Sequence, residues 1–352
     1  MRERPHTLRT GAAVAAVRTH DEPARWAPTD LVRGLRPRDG VSLVMDGSGA
    51  VGGGWTGGPL VALDAEPCWP QGETDPCSPA DRLREIDREV AERRRRGGTA
   101  DTGIAVLAAY EAFGASPARL EGEPGLPGIV ALRVDRSVRF HEPARARLTA
   151  RADDAPAAAA LLDATRRRLE TLEDPPPRPA AARAHGRPRT SLPRDAYLPA
   201  VEAVQRHIAA GDVYQANLCQ RFEVDRRGDP FELWADLRRR QPAPRSAFLS
   251  WGETVVASQS PETFLSATVD GRIETLPIKG TRPRLSDPVA DRRAAEGLLA
   301  SPKDRAELLM IVDLERNDLG RVCRTGSIRV PELWQLESFA TVHHLVARVT
   351  GE

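Results

Sequence analysis

The first residue to weigh for chemistry is a lysine in a chain that otherwise uses arginine. Among 51 Lys and Arg side chains, only Lys279 and Lys303 are lysines. Arginine keeps its proton at every physiological pH, so a retained lysine suggests use of a titratable amine. Lys279 stands between Ile278 and Gly280, in a predicted loop that could desolvate it, lower its pKa and free the amine to attack carbon. A lysine that binds phosphate or carboxylate fits the same position, as does one retained by chance. Glu262 follows Ser260-Pro261 at the junction of two predicted strands, a position suited to acid/base work. An ordinary surface carboxylate beside a turn is the commoner alternative. Glu307 is expected to share a helical stripe with Met310, Ile311 and Leu314 at i+3, i+4 and i+7. A carboxylate there needs a cation or a donor, met by Mg²⁺ or by an ion pair with Arg305, Arg316 or Arg321. His343 and His344 lie in an apolar stretch, where strand alternation lets only one imidazole point into a site. Asp313, Asn317 and Asp318 around Arg316 read as the polar end of a helix before Gly320.

These residues need elements to hold them. Short apolar runs at 11–17, 41–45, 59–63 and 128–134 predict strands, and 80–96 and 155–172 predict helices. The arginine run 93–96 reads as a solvated helix end before Gly97-Gly98. Residues 173–193 are Pro, Arg, Ala and Gly without periodicity and read as a linker. A helix follows with Ser191 as its cap, an apolar face of Leu198, Val201, Val204 and Ile208, and Gly211 as its end. Clean alternation from Tyr214 to Val224 predicts a strand. Further strands are expected at 246–251, 254–258 and 264–269, with Asp270-Gly271 as a hairpin turn into 272–276. Helices at 291–299 and 303–319 and a strand at 327–330 complete an α+β pattern.

The length of 352 residues suits two small domains or one large one. A net charge of +1 gives no field that would recruit nucleic acid or a membrane surface. Cys68, Cys77, Cys219 and Cys323 lack the spacing of a zinc site or a disulfide framework and fit a reducing cytoplasm. No run approaches membrane-spanning length. The expectation is a cytoplasmic protein that binds neither nucleic acid nor membrane.

From Ser191 onward the motifs run in a recognisable order. GDVYQANL (211–218), SPETF (260–264) and LPIKGTRPR (276–284) are followed by KDRAELL (303–309) and VDLERNDLGRV (312–322), then GSIRVPEL (326–333) and FATVHHLV (339–346). This series resembles the chorismate-utilising enzymes, most closely component I of the aminodeoxychorismate (para-aminobenzoate) synthases. The resemblance implies antiparallel sheets packed as a sandwich with outer helices, like anthranilate synthase component I. It also implies a strand-rich N-terminal region at 1–172, a linker at 173–193 and a chorismate-binding domain at 191–352.

Carried over by position, the resemblance implies that Lys279 attacks C2 of chorismate while the C4 hydroxyl leaves, protonated by Glu262. Ammonia then enters at C4 and expels the lysine. Gly280, Thr281 and His344 would line the substrate pocket, and Glu307 would ligate Mg²⁺. The partner would be a glutamine amidotransferase subunit supplying ammonia, and the class a transferase of the aminotransferase kind in para-aminobenzoate and folate biosynthesis. Anthranilate synthases carry a small residue where Lys279 stands, which makes it the discriminator. Pro244, Arg245 and Ser246 match a segment of the tryptophan pocket of relatives, with Arg245 in place of an aromatic or apolar residue. Relatives continue past Glu352 through a TGAPK segment, a CGSIGY-like strand and an acidic motif. A C-terminally truncated chorismate-binding domain is therefore expected, with the strand ending at Val349 left as an exposed sheet edge. Three functions follow: aminodeoxychorismate formation, anthranilate or isochorismate formation, or a truncated, inactive chorismate-binding remnant.

Overall fold

The computed structural model describes residues 16–25, 27–35, 41–46, 59–63, 65–68, 79–95, 102–108, 129–142, 145–172, 179–251, 254–268 and 270–352. The elements run β1 (Ala16–Pro23), α1 (Pro28–Leu35), β2 (Val41–Asp46), β3 (Leu60–Leu63), β4 (Glu66–Pro67), α2 (Pro79–Arg95), β5 (Gly103–Ala108) and β6 (Ile129–Val134). They continue with β7 (Arg136–Glu142), β8 (Arg145–Ala152), α3 (Ala155–Glu170), β9 (Arg183–Thr190), α4 (Arg194–Ala210), β10 (Phe222–Arg227) and α5 (Pro230–Arg240). The last are β11 (Arg245–Trp251), β12 (Thr254–Ser260), β13 (Thr263–Ala267), β14 (Ile273–Leu276), β15 (Ile278–Pro283), α6 (Pro288–Leu299), α7 (Pro302–Gly320), β16 (Arg329–Ser338) and β17 (Val342–Gly351). Among the described residues no helix is long and apolar enough to cross a membrane. The expected strand at 11–17 lies almost wholly outside the described residues, and so does Cys77.

The chain forms two compact units, Met1–Pro177 with Leu237–Glu352, and Arg178–Asp236. In the larger unit, a seven-stranded sheet runs β1-β8-β7-β3-β2-β11-β12 beside a three-stranded sheet β4-β6-β5. Leu43, Ala62 and Leu249 from the first pack with Val130, Leu132 and Val134 from the second, which makes the expected face-to-face sandwich. The strand pairings of these two sheets are antiparallel throughout. Arg93 departs from the solvated helix end expected of it. It is 5% exposed and its guanidinium binds Asp135 across to β6–β7, because α2 lays this turn against the sheet.

The second sheet of this unit positions the chemistry. Its order is β13-β14-β17-β15, with β16 on the other side of β17. β14 and β15 are consecutive segments along one side of β17, joined at Pro277, whose carbonyl accepts from Ala347 N–H at 3.1 Å. β17 is thus paired on both sides and Val349 is fully buried, so the exposed edge expected there is absent. The reason is β16, which runs from Arg329 to Ser338, far longer than the 327–330 strand that periodicity suggested. Leu345, Ala347 and Val349 point from β17 into a core with Leu298 of α6 and Leu308, Val312 and Leu319 of α7.

The smaller unit differs from the sequence expectation. β9 occupies 183–190, inside the expected linker, and pairs antiparallel with β10. All its residues are exposed, so no apolar period marks it. Of the strand expected from Tyr214 to Val224, residues 214–221 have no regular structure, and only Phe222 to Val224 belong to a strand, the start of β10. α4 begins at Arg194 with Pro193 as its N-cap and no side-chain cap, while Ser191 Oγ instead accepts from Arg221 N–H at 3.0 Å. Gly211 ends α4 in the left-handed region, as expected, at φ 82°. The expected apolar face of α4 contains no buried residue.

Candidate active site

The site is built around a defect in β15. Lys279 stands opposite Leu345 on β17, and Thr281 stands opposite His344, so Gly280 is an extra residue in the ladder. Its φ of +79° is the left-handed conformation of a glycine bulge, a device that re-aims neighbouring side chains. A Cβ at Gly280 would meet Leu298 Cδ1 at 2.8 Å and Asp304 Cβ at 2.9 Å. The strand therefore touches α6 and α7 where only glycine fits. Directly opposed residues share a sheet face. The bulge thus puts Lys279 on the face of Leu345, toward α7, and Thr281 on the face of His344.

Lys279 is half-buried, and its Nζ donates to the Ile278 carbonyl at 3.2 Å. Glu262, in the turn between β12 and β13, accepts the Ile278 N–H on Oε1 at 2.9 Å. Both groups are therefore fixed to the peptide unit of one residue. On the other face, His344 Nδ1 lies 3.0 Å from Thr281 Oγ1 and 3.4 Å from the Gly280 carbonyl. A carbonyl can only accept, so Nδ1 carries the proton and Nε2 keeps its lone pair. Burial first of all lowers the His344 pKa, which favours this neutral form. Phe339 meets the ring edge-on with centroids 5.4 Å apart.

His343 faces the opposite way and is 3% exposed. Its Nε2 donates to Asp291 Oδ1 at 3.0 Å, and its Nδ1 lies 2.7 Å from Ser338 Oγ. The Arg284 guanidinium, above all, holds the Asp291 carboxyl well below the usual carboxylate range, helped by the Leu285 N–H and His343. This network ties β15 to α6 and β17. One helix later, Arg282 pairs with Asp304 at 2.9 Å, and Asp304 N–H donates to the N-cap Ser301 at 3.3 Å.

α7 presents a different stripe from the one expected. Its buried positions are Asp304, Leu308, Val312 and Leu319, while Leu314 is 55% exposed and Glu307 half-buried. The run Leu308-Leu309-Met310-Ile311-Val312 is apolar on every side, so periodicity could not fix the helix phase. With the phase set from Leu308, Glu315 falls on the core-facing stripe, and sequence reasoning missed it for this reason. Its carboxyl lies beside Thr275, and burial pushes its pKa up to about 7. Among the described residues no group of three His, Cys, Asp or Glu forms a metal cage.

Pro244, Arg245 and Ser246 lie at the start of β11, away from the β15 bulge in the pairing order. Arg245 Nη1 donates to the Pro244 carbonyl at 3.0 Å, and Ser246 is buried with its Oγ donating to Ser258 O at 3.3 Å. Burial lowers the Arg245 pKa while Glu274 opposes the shift.

Residues 66–352 match the sequence pattern of the chorismate binding enzyme family. Aminodeoxychorismate synthase component 1 of Klebsiella aerogenes is 49% identical over 163 residues, covering 46% of this chain and 36% of that protein. Anthranilate synthase component 1 of Thermus thermophilus is 43% identical over 183 residues, covering 51% of this chain and 39% of that protein. The chain thus spans little more than a third of the length of these curated relatives. The crystal structure of anthranilate synthase component I from Streptococcus pneumoniae shares the fold, with a TM-score of 0.63 at 19% identity, covering 99% of this chain and 71% of that one.

Proposed function

From a chain that belongs to the chorismate binding enzyme family, we propose aminodeoxychorismate formation: chorismate and ammonia become 4-amino-4-deoxychorismate and water. The observation that carries this reading is a lysine on a glycine bulge, with Glu262 bound to the peptide N–H immediately before it. Lys279 Nζ, as the neutral amine, would bond to C2 as the C4 hydroxyl departs with a proton from Glu262. Ammonia would then bond to C4 and release the amine. A covalent placeholder at C2 is what directs nitrogen to C4, so a lysine here favours this product over anthranilate or isochorismate. By the resemblance, Gly280, Thr281 and the neutral His344 would border the substrate ring, the Gly280 bulge being the point where the strand passes from the face of Lys279 to theirs.

Glu307 would supply one carboxylate to Mg²⁺. Magnesium binds through one or two carboxylates, keeps several waters and takes oxygens from its substrate, so a single protein carboxylate with a dianionic substrate suits it. When bound, the ion would neutralise a substrate carboxylate. The name component 1 borne by the Klebsiella relative implies a second component. On that basis the ammonia would come from a glutamine amidotransferase partner, and the product would serve para-aminobenzoate and folate synthesis in the cytoplasm. The resemblance to the Thermus anthranilate synthase keeps one second reading, anthranilate formation. Chorismate, Mg²⁺ and ammonium incubated with the purified chain, and the products resolved by chromatography, test both. Aminodeoxychorismate is expected. Anthranilate would replace the first reading with the second, and a folded chain without product would sink both.

A further inference from the structure

Asp304 sits in the first turn of α7 and is 8% exposed, yet no step proposed above uses it. It meets β15 in two ways. Its Cβ and Cγ lie 2.9 and 3.0 Å from the point where a Cβ on Gly280 would stand, so its side chain packs on the bare face of the bulge. Its Oδ2 accepts from Arg282 Nη2 at 2.9 Å. Arg282 Nη1 donates to the Thr281 carbonyl at 2.8 Å, so one guanidinium ties the carboxylate to the backbone just past the bulge. The Ser301 hydroxyl above all, with Arg282 beside it, holds the Asp304 carboxyl below its ordinary pKa, and at neutral pH it is an anion.

The strand register gives this pair its consequence. Lys279 stands opposite Leu345, and Arg282 stands opposite His343. Leu345 and His343 are two residues apart on β17 and share its helix-facing side. Leu345 packs with Leu298 of α6 and Leu308 of α7, and His343 bonds Asp291 of α6. Lys279 and Arg282 therefore point the same way although they are three residues apart, which an unbroken strand forbids. Flattening the bulge must turn one of them to the other face. The ion pair with Asp304 holds Arg282 in place, and Glu262 holds the Ile278 N–H on the other side of the glycine. We propose that Asp304 is a positioning residue: its ion pair with Arg282 locks the Gly280 bulge and so keeps the Lys279 amine on the face where it reacts. The inference rests on the role given to Lys279 above. Asp304 touches no substrate in this account, so it governs the rate of the lysine step and not the affinity for chorismate.

Lysine acetylation tests the lock without requiring turnover. Light reagent is applied to the folded chain and heavy reagent after unfolding, so each lysine is its own reference. Half-buried Lys279 should label about fivefold faster in Asp304→Asn and in Arg282→Met than in wild type. The double variant should label no faster than either single one, because both remove the same pair. Arg282→Lys keeps the charge but not the planar fork, and should fall between wild type and Arg282→Met. Asp291→Asn removes a different ion pair, made with Arg284 just past the same strand, and should leave Lys279 labelling within about twofold. Lys279 labelling unmoved by both Asp304→Asn and Arg282→Met, or raised as much by Asp291→Asn, overturns the proposal. With chorismate and Mg²⁺, the rate constant for adduct formation on Lys279, read by mass spectrometry, does not depend on how much of the chain is folded. It should fall about tenfold in Asp304→Asn, while KM for chorismate stays within about twofold. An adduct rate equal to that of wild type contradicts the lock. A wild-type chain that forms no adduct but shows labelling controlled by Asp304 would sink the functional reading and leave the lock standing.

Discussion

Residues 214–221 alternate apolar and polar side chains and residues 273–283 do not, with Lys279 expected in a loop, yet the two stretches end the opposite way round. The first stretch has no regular structure and leaves Tyr214 93% exposed. The second forms β14 and β15, each hydrogen-bonded to β17 and backed by α6 and α7. Alternation is a property of a strand's side chains, but a strand exists only where its N–H and C=O groups find a partner. For 273–283 that partner is β17, a ten-residue strand of buried Leu, Val and Ala positions. The same difference separates the glycines. Gly211 and Gly280 have nearly equal φ, 82° and 79°, yet a Cβ meets open space at Gly211 and two packed side chains at Gly280.

The largest effect should come from the β15 side. Lys279→Ala should lower aminodeoxychorismate formation by about 10³-fold or more while chorismate binding changes little, as expected for loss of a covalent nucleophile. Retained turnover would show that the bulge does not serve the chemistry. Next in size is the glycine pair. Gly280→Ala should cost about 2–4 kcal/mol, combining left-handed backbone strain with overpacking, and Gly211→Ala about 1–2 kcal/mol from strain alone. Urea unfolding of the two variants measures both, and equal losses would erase the distinction between the two regions.

A smaller, pH-dependent effect belongs to Asp291. Its folded pKa is depressed, so its contribution is present above the unfolded value near 3.8 and is lost as pH falls below it. The gap in thermal midpoint between wild type and Asp291→Asn should therefore be widest near neutrality and close in acid. A gap that persists undiminished at low pH would show that the Arg284 and His343 contacts do not depend on the carboxylate. Tyr214→Ala should do least, within about 0.5 kcal/mol, as befits an exposed side chain. A loss of several times that would mean the stretch is covered.

Much of the larger unit was legible because its signals are local. Asp270-Gly271 marked the turn before β14, and apolar runs marked β2, β3 and β6. What escaped was set by tertiary contact. β9 is exposed on every residue and exists through β10. Arg93 was read as solvated because nothing nearby in sequence reveals Asp135 as its partner. Lys279, Glu262, Thr281 and His344 were chosen by motif; the fold ties Glu262 to Ile278, the residue before Lys279, and Thr281 to His344 beyond the Gly280 bulge, contacts that periodicity does not show. Glu315 escaped because an all-round apolar run hid which side of α7 faces inward.

The central claim is that Lys279 bonds to chorismate, and mass spectrometry of the chain incubated with chorismate and Mg²⁺ without ammonia tests it most directly. The account predicts an adduct of chorismate less one water on the Lys279 peptide, absent from Lys279→Ala and discharged as aminodeoxychorismate when ammonium is added. An adduct that persists in Lys279→Ala, or product formed by that variant at the wild-type rate, would contradict it.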